Sequence, residues 1–296
     1  MKKRISFYDQ ISKNKRNSIL LSIFVFLVLF SLVYIISYVF APESAILILS
    51  FSTILICAHI YTSYNYGDKI VLAATGAKPA HPRKHIYYLN IVEGLSLAAG
   101  IPKPKAYVIE NDEINAFATG KDPKHASIAV TTGALEKLNR LELEGVVAHE
   151  ISHIKNYDIR FAMLVAVMVG LVAIISHIFL RSWRFSSRRR KDEGAGLLIL
   201  IGLLLAIFAP IIVRLVQLAI SRKREYLADA SAAKLTRYPE GLASALEKIM
   251  KYNRGKMKVS EAVSHLFFVD PNKSALDELF ATHPPIKKRI EILRSM

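Results

Sequence analysis

The 296-residue chain has one cysteine, Cys57. A lone thiol cannot close an internal disulfide, which excludes the small secreted scaffolds that use cross-links in place of a core. Glycine (13) and proline (11) are too few for collagen-like or low-complexity sequence, and the hydrophobic content excludes disorder. No internal repeat is present. Acidic residues are also scarce: 24 Asp and Glu stand against 40 Lys and Arg, a formal net charge of +16. Such an excess suits nucleic acid or an anionic membrane surface. No RNP, zinc-finger or helix-turn-helix pattern accompanies it, so no nucleic-acid partner is expected. The basic residues read instead as cytoplasmic flanks of membrane spans.

What the chain does have is long uncharged stretches. Asn17 to Phe40 carries no charge and as a helix would measure about 36 Å, at roughly 1.5 Å per residue. That is enough to cross a hydrocarbon core of about 30 Å. Lys2, Lys3, Arg4, Lys13, Lys15 and Arg16 precede it against Asp9 alone. The run is too long for a signal-peptide core and no small-residue cleavage site follows, so an uncleaved span with a cytosolic N-terminus is expected. After a turn at Ala41–Ser44, Ala45 to Tyr66 forms a second run, closing a hairpin whose tyrosines suit the membrane interface. Two further apolar runs, Phe161–Leu180 and Ala195–Val213, flank an arginine-rich linker. The expected organisation is a basic N-terminus (1–16), a transmembrane hairpin (17–66), a first polar half (67–160), a second apolar hairpin (161–213) and a second polar half (214–296).

Within the first half, Pro82–Ala99 reads as a helix stopped by Gly100 and the prolines beyond it. Lys105–Glu110, Asn115–Thr119 and Ser127–Thr132 read as strands. Asn139-Arg140-Leu141-Glu142 is a capping box that opens a helix running to about Asn156. The fold class is therefore mainly α with a small β-sheet, joined to transmembrane helices.

That last helix carries His149-Glu150-Ile151-Ser152-His153. Histidines at i and i+4 share one helix face and can bind one zinc ion, and Glu150 beside them can deprotonate a zinc-activated water. Chance places His, Glu and His at these offsets with odds on the order of 1%, so the surroundings must carry the rest. Leu143, Val146, Val147, Ile151 and Ile154 give the helix a buried stripe. A catalytic zinc needs a third protein ligand. Glu225 can supply it, and Asp229, one turn on, can orient a ligand histidine. Beside Arg222, Lys223 and Arg224 the same two acids could equally form a solvated face. Cys57, His59 and His177 read as structural, and His81, His85, His125 and His265 as surface residues.

Four stretches now carry a resemblance: Asn115 to Gly120 (NAFATG), His149 to Asp158 (HEISHIKNYD), Glu225 to Asp229 (EYLAD), and His283-Pro284-Pro285-Ile286 with Arg289-Ile290. The chain resembles the HtpX-type membrane zinc endopeptidases, relatives of the CAAX prenyl proteases within the gluzincins. The resemblance covers nearly the whole chain. It implies a zincin-like catalytic domain, one zinc held by His149, His153 and Glu225, and Glu150 as general base. Unfolded or membrane-protein polypeptides are the expected substrates, since the metal helix lies close to an apolar run. The six basic residues before the first span, together with the resemblance, put the site of this multi-pass cell-membrane protein on the cytoplasmic side. His283 is a candidate electrophile for the oxyanion, or else a cap on the helix that follows. Asn115, Ala116 and Phe117 are candidates for pairing with an extended substrate, or else an ordinary half-buried strand. A non-catalytic metal-binding scaffold and a CAAX-type protease stand as alternatives. Glu150 speaks against the first, and the modest number of apolar runs against the second.

His149, His153 and Glu225 can meet at one ion only on one side of the membrane. Residues 161–213 must then cross twice or not at all, and a double crossing exports the arginine-rich linker against the positive-inside rule. If the metal helix continued unbroken toward Phe161, the ion would lie about 15–20 Å from the bilayer.

Overall fold

A computed structural model describes residues 7–40, 42–167, 222–272 and 284–296. The most hydrophobic stretches form a pair of antiparallel helices, α1 (Phe7–Phe40) and α2 (Ala45–Ala74), joined by a short 3₁₀ turn. Ile19, Leu20, Ile23, Leu27, Ile46, Leu47, Phe51 and Ile54 point outward from this pair. A water-soluble protein would not display such a surface, whereas lipid accepts it. Both helices are long and apolar enough to cross a membrane.

Helix α2 runs two turns beyond Tyr66, the end of the second apolar run, into the protein. Gly67 allows this. A Cβ there would lie 3.0 Å from the Met163 sulfur, so the missing side chain lets a helical segment over 158–167 pack against α2. That segment is the only described part of the third apolar run; the remainder of residues 161–213 lies outside the described residues.

The polar halves form a four-stranded mixed sheet with helices against it. Strands β1 (Lys78–Pro79), β2 (Lys105–Ile109), β3 (Ala116–Gly120) and β4 (Ala126–Thr131) lie in the order β1-β2-β4-β3. The β2–β4 pair is parallel and the others antiparallel. The three expected strands are present, and the two-residue β1 is additional. Helix α3 (Ile86–Ala99) starts four residues later than Pro82 and ends at Gly100, whose φ of 69° supplies the left-handed cap.

Helix α4 (Thr132–Lys137) leads into α5 (Arg140–Lys155). The capping box is formed as read: the Glu142 N–H donates to Asn139 (3.0 Å) and the Asn139 N–H to Glu142 (2.7 Å). Helix α5 is central, packed by α3, β3, α6 (Arg222–Thr236) and α7 (Pro239–Tyr252). Gly145 permits the closest approach, since a Cβ there would lie 2.7 Å from the Leu242 nitrogen. A short α8 (Glu261–Ser264) and the terminal α9 (Ile286–Arg294) complete the described elements.

Helix α5 does not run unbroken to Phe161. It ends at Lys155, and a turn with Tyr157 in a left-handed conformation (φ 59°) separates it from the helical segment over 158–167. The distance read from an unbroken helix therefore does not apply.

Candidate metal centre

A one-turn separation places His149 and His153 on the same side of α5, with Nε2 atoms 3.1 Å apart. Helix α6 crosses α5 and brings in Glu225, its Oε2 3.5 Å from His149 Nε2 and its Oε1 3.6 Å from His153 Nε2. With metal–ligand arms of about 2.0–2.1 Å, a tetrahedral ion holds neighbouring ligand atoms roughly 3.3–3.4 Å apart. The observed separations bracket that edge length. The other ring nitrogens face carboxylates: His149 Nδ1 donates to Asp229 Oδ1 (2.9 Å) and His153 Nδ1 to Asp158 Oδ2 (3.0 Å). Each carboxylate fixes the tautomer and leaves an Nε2 lone pair aimed at the shared point. Two imidazole lone pairs and a carboxylate converging at this spacing fit a divalent cation.

The surroundings tune these groups. Burial opposes protonation of His153, but Asp158, Glu225 and Glu150 outweigh it and push the metal-free imidazole up to about 9. His149 moves the same way, with burial overcome by Asp229 and Glu225. Burial pushes the Glu150 carboxyl up, against the pull of the two histidines. For Asp229 the burial penalty is overcome by Arg289, which holds the carboxyl below its ordinary range. Arg289, on α9, is fully buried and grips both Asp229 oxygens, Nε to Oδ2 at 2.8 Å and Nη2 to Oδ1 at 2.7 Å. The Arg289 guanidinium lies over the Phe268 ring, 4.6 Å from its centre, and the same ring meets the His149 imidazole edge-to-face.

A small cleft with a cavity volume of about 50 Å³, partly open to solvent, lies over these atoms; Ala118, Glu150, His153, Glu225, His265 and Phe268 help to line it. His149, Glu150, His153, Glu225 and Asp229 are thus brought together. His283 lies outside the described residues. Strand β3 is an edge strand, but Asn115, Ala116 and Phe117 are buried and do not face a free cleft. The Asn115 side chain binds the Val269 backbone through both amide groups, the Ala116 carbonyl accepts from the Phe268 N–H (2.8 Å), and Phe117 bridges to Phe267. The chain's own segment occupies the edge offered to substrate. Two further expectations change: His265, read as a surface residue, is buried beside the cleft, with Nε2 3.1 Å from the Ala162 carbonyl. Asp158 and Arg289, to which no role had been given, orient the two histidines directly or through Asp229. Their presence in the HEISHIKNYD stretch and the final Arg-Ile pair was the available signal.

Residues 82–296 match peptidase family M48. The chain belongs to that family. It is 46% identical over 295 residues to the protease HtpX homolog of Dictyoglomus thermophilum, spanning 99% of this chain and 96% of the relative. The protease HtpX homolog of Thermoanaerobacter pseudethanolicus is 47% identical over 299 residues, spanning 99% of each. Among solved structures, the crystal structure of S. mikatae Ste24p superposes with a TM-score of 0.51 at 19% identity, covering 97% of this chain and 67% of that one. The fold is thus shared with that protein over nearly the whole of this chain. This M48 chain is an HtpX-type membrane metalloprotease, and the convergent His149–His153–Glu225 cluster is the group among its described residues suited to hold the metal.

Proposed function

We propose that this M48 chain is a multi-pass zinc endopeptidase that hydrolyses misfolded or damaged membrane proteins at the cytoplasmic face of the cell membrane. The observation that carries the reading is the convergence of His149, His153 and Glu225 at tetrahedral spacing beside Glu150, in a cleft partly open to solvent. Two imidazoles and one carboxylate favour zinc over harder divalent ions.

Zinc bound there would polarise the scissile carbonyl and acidify a water. Glu150 accepts the proton of the attacking water and delivers it to the departing amine, so one carboxylate serves as base and then as acid. Its raised pKa suits both tasks, because a carboxyl nearer neutrality returns a proton more readily. Asp229 and Asp158 hold the histidines in register and stabilise positive charge on the rings. The buried wall of Ile159, Leu266, Phe267 and Phe268 excludes bulk water from the reacting atoms.

The test compares detergent-purified wild type with Glu150→Gln for bound zinc and for cleavage of casein and of a membrane-tethered unfolded substrate. The reading expects one zinc in each protein, cleavage by the wild type alone, and faster cleavage of the tethered substrate. Zinc retention without cleavage by either would favour a scaffold, and equal rates on tethered and soluble substrates would remove the membrane-protein preference.

A further inference from the structure

Asn14 sits where the basic N-terminal stretch of α1 gives way to its apolar run, and it is only 4% exposed. A buried amide is costly unless its groups are satisfied. Its Nδ2 donates one hydrogen bond to the Asn156 carbonyl (3.0 Å) and another to Asp158 Oδ1 (2.6 Å), more than 140 residues along the chain. The other oxygen of Asp158 is the one that accepts from His153 Nδ1. The neighbouring residues repeat the attachment: the Lys15 ammonium lies 4.4 Å from the centre of the Tyr157 ring, at the left-handed turn that brings Asp158 beneath His153.

Asp158 also has a competitor. Arg224 Nη1, on the helix that carries Glu225, lies 3.7 Å from Asp158 Oδ1, the oxygen Asn14 holds. Without the Asn14 amide, Asp158 can rotate toward Arg224 and draw Oδ2 away from His153. Groups that hold a ligand histidine through its second nitrogen characteristically control metal affinity.

We propose that Asn14 is a positioning residue of the metal centre, acting through Asp158 on His153, so that the first membrane helix helps to set metal affinity and not only location. The inference rests on the zinc-site reading of the preceding subsection.

The test uses full-length protein in detergent: wild type, Asn14→Leu, Asn14→Ala, Asp158→Asn, the Asn14→Leu/Asp158→Asn double variant, and Ile19→Ala as a control on the outward face of α1. Zinc affinity is read by competition with a chromophoric chelator, and ligand geometry from the visible spectrum of the cobalt-substituted protein. Both Asn14 variants should lose about tenfold in zinc affinity with an altered cobalt spectrum, and Ile19→Ala should match the wild type. The double variant should bind zinc no more weakly than Asp158→Asn alone, because the two residues act in series. Wild-type affinity in a folded Asn14→Leu or Asn14→Ala protein overturns the inference. So do Asn14 and Asp158 losses that multiply, or a lower melting temperature with an unchanged cobalt spectrum. If the wild type takes up no zinc, the metal reading itself fails and this inference goes with it.

Discussion

Arg289 and Asp229 form a two-pronged, fully buried ion pair behind the metal-binding face of His149. Removing one member of such a pair leaves a charge stranded away from water, which costs about 3–5 kcal/mol. Arg289→Ala should therefore unfold at a much lower temperature. Arg289→Lys keeps the charge but not the planar fork, and should melt between that variant and the wild type while holding zinc less tightly. Thermal unfolding and zinc content of the three proteins check both expectations.

Asp229→Asn and Asp158→Asn each exchange a ring-orienting carboxylate for a neutral amide. Each should weaken zinc binding by roughly 10–100-fold. Asp229→Asn should also be the less stable, since it leaves the Arg289 guanidinium, 0% exposed, without its counter-ion. Chelator competition and thermal unfolding separate the two effects.

Zinc uptake should release protons. The metal-free His153 imidazole is pushed up to about 9 and His149 is raised as well, so at neutral pH the empty site holds protons that the metal must displace. Apparent affinity should therefore fall as pH drops below about 9, by up to about tenfold per pH unit for each proton released. Calorimetry in buffers of different ionisation enthalpy counts these protons. Affinity independent of pH between 6 and 9 would contradict the arrangement.

Gly145→Ala should cost about 1–3 kcal/mol, because its Cβ would meet the Leu242 backbone at 2.7 Å where α5 crosses α7. The same substitution at Gly94, where nothing lies within 4 Å of the new Cβ, should be neutral or stabilising. Denaturant unfolding of the two variants checks the contrast.

Local and periodic features were legible in the sequence. The Asn139–Glu142 capping box, the two histidines one turn apart and the Gly100 stop each depend on a few adjacent residues, and each is found where the pattern put it. Asp229 was readable because it lies one turn from Glu225 on the same helix. Asp158 was harder, since its role depends on a left-handed Tyr157, a conformation that tyrosine rarely adopts and no local pattern announces. Arg289 was harder still. In a chain with a large basic excess one more arginine reads as solvated, and only the tertiary meeting of α9 with α6 buries it. The pairing of Phe267–Val269 with β3 joins segments 150 residues apart and leaves no local trace.

That pairing bears on how the protein keeps its sheet from recruiting other strands. A bare sheet edge is a template for any extended polypeptide, including another copy of the same enzyme. Here the outer side of Asn115–Phe117 is sealed by the protein's own Phe267–Val269, and the opposite margin is a two-residue strand made of an exposed lysine and a proline, residues that discourage strand addition. Both flanks of the sheet are blunted, so neither margin offers an open template for strand addition by another copy of the chain.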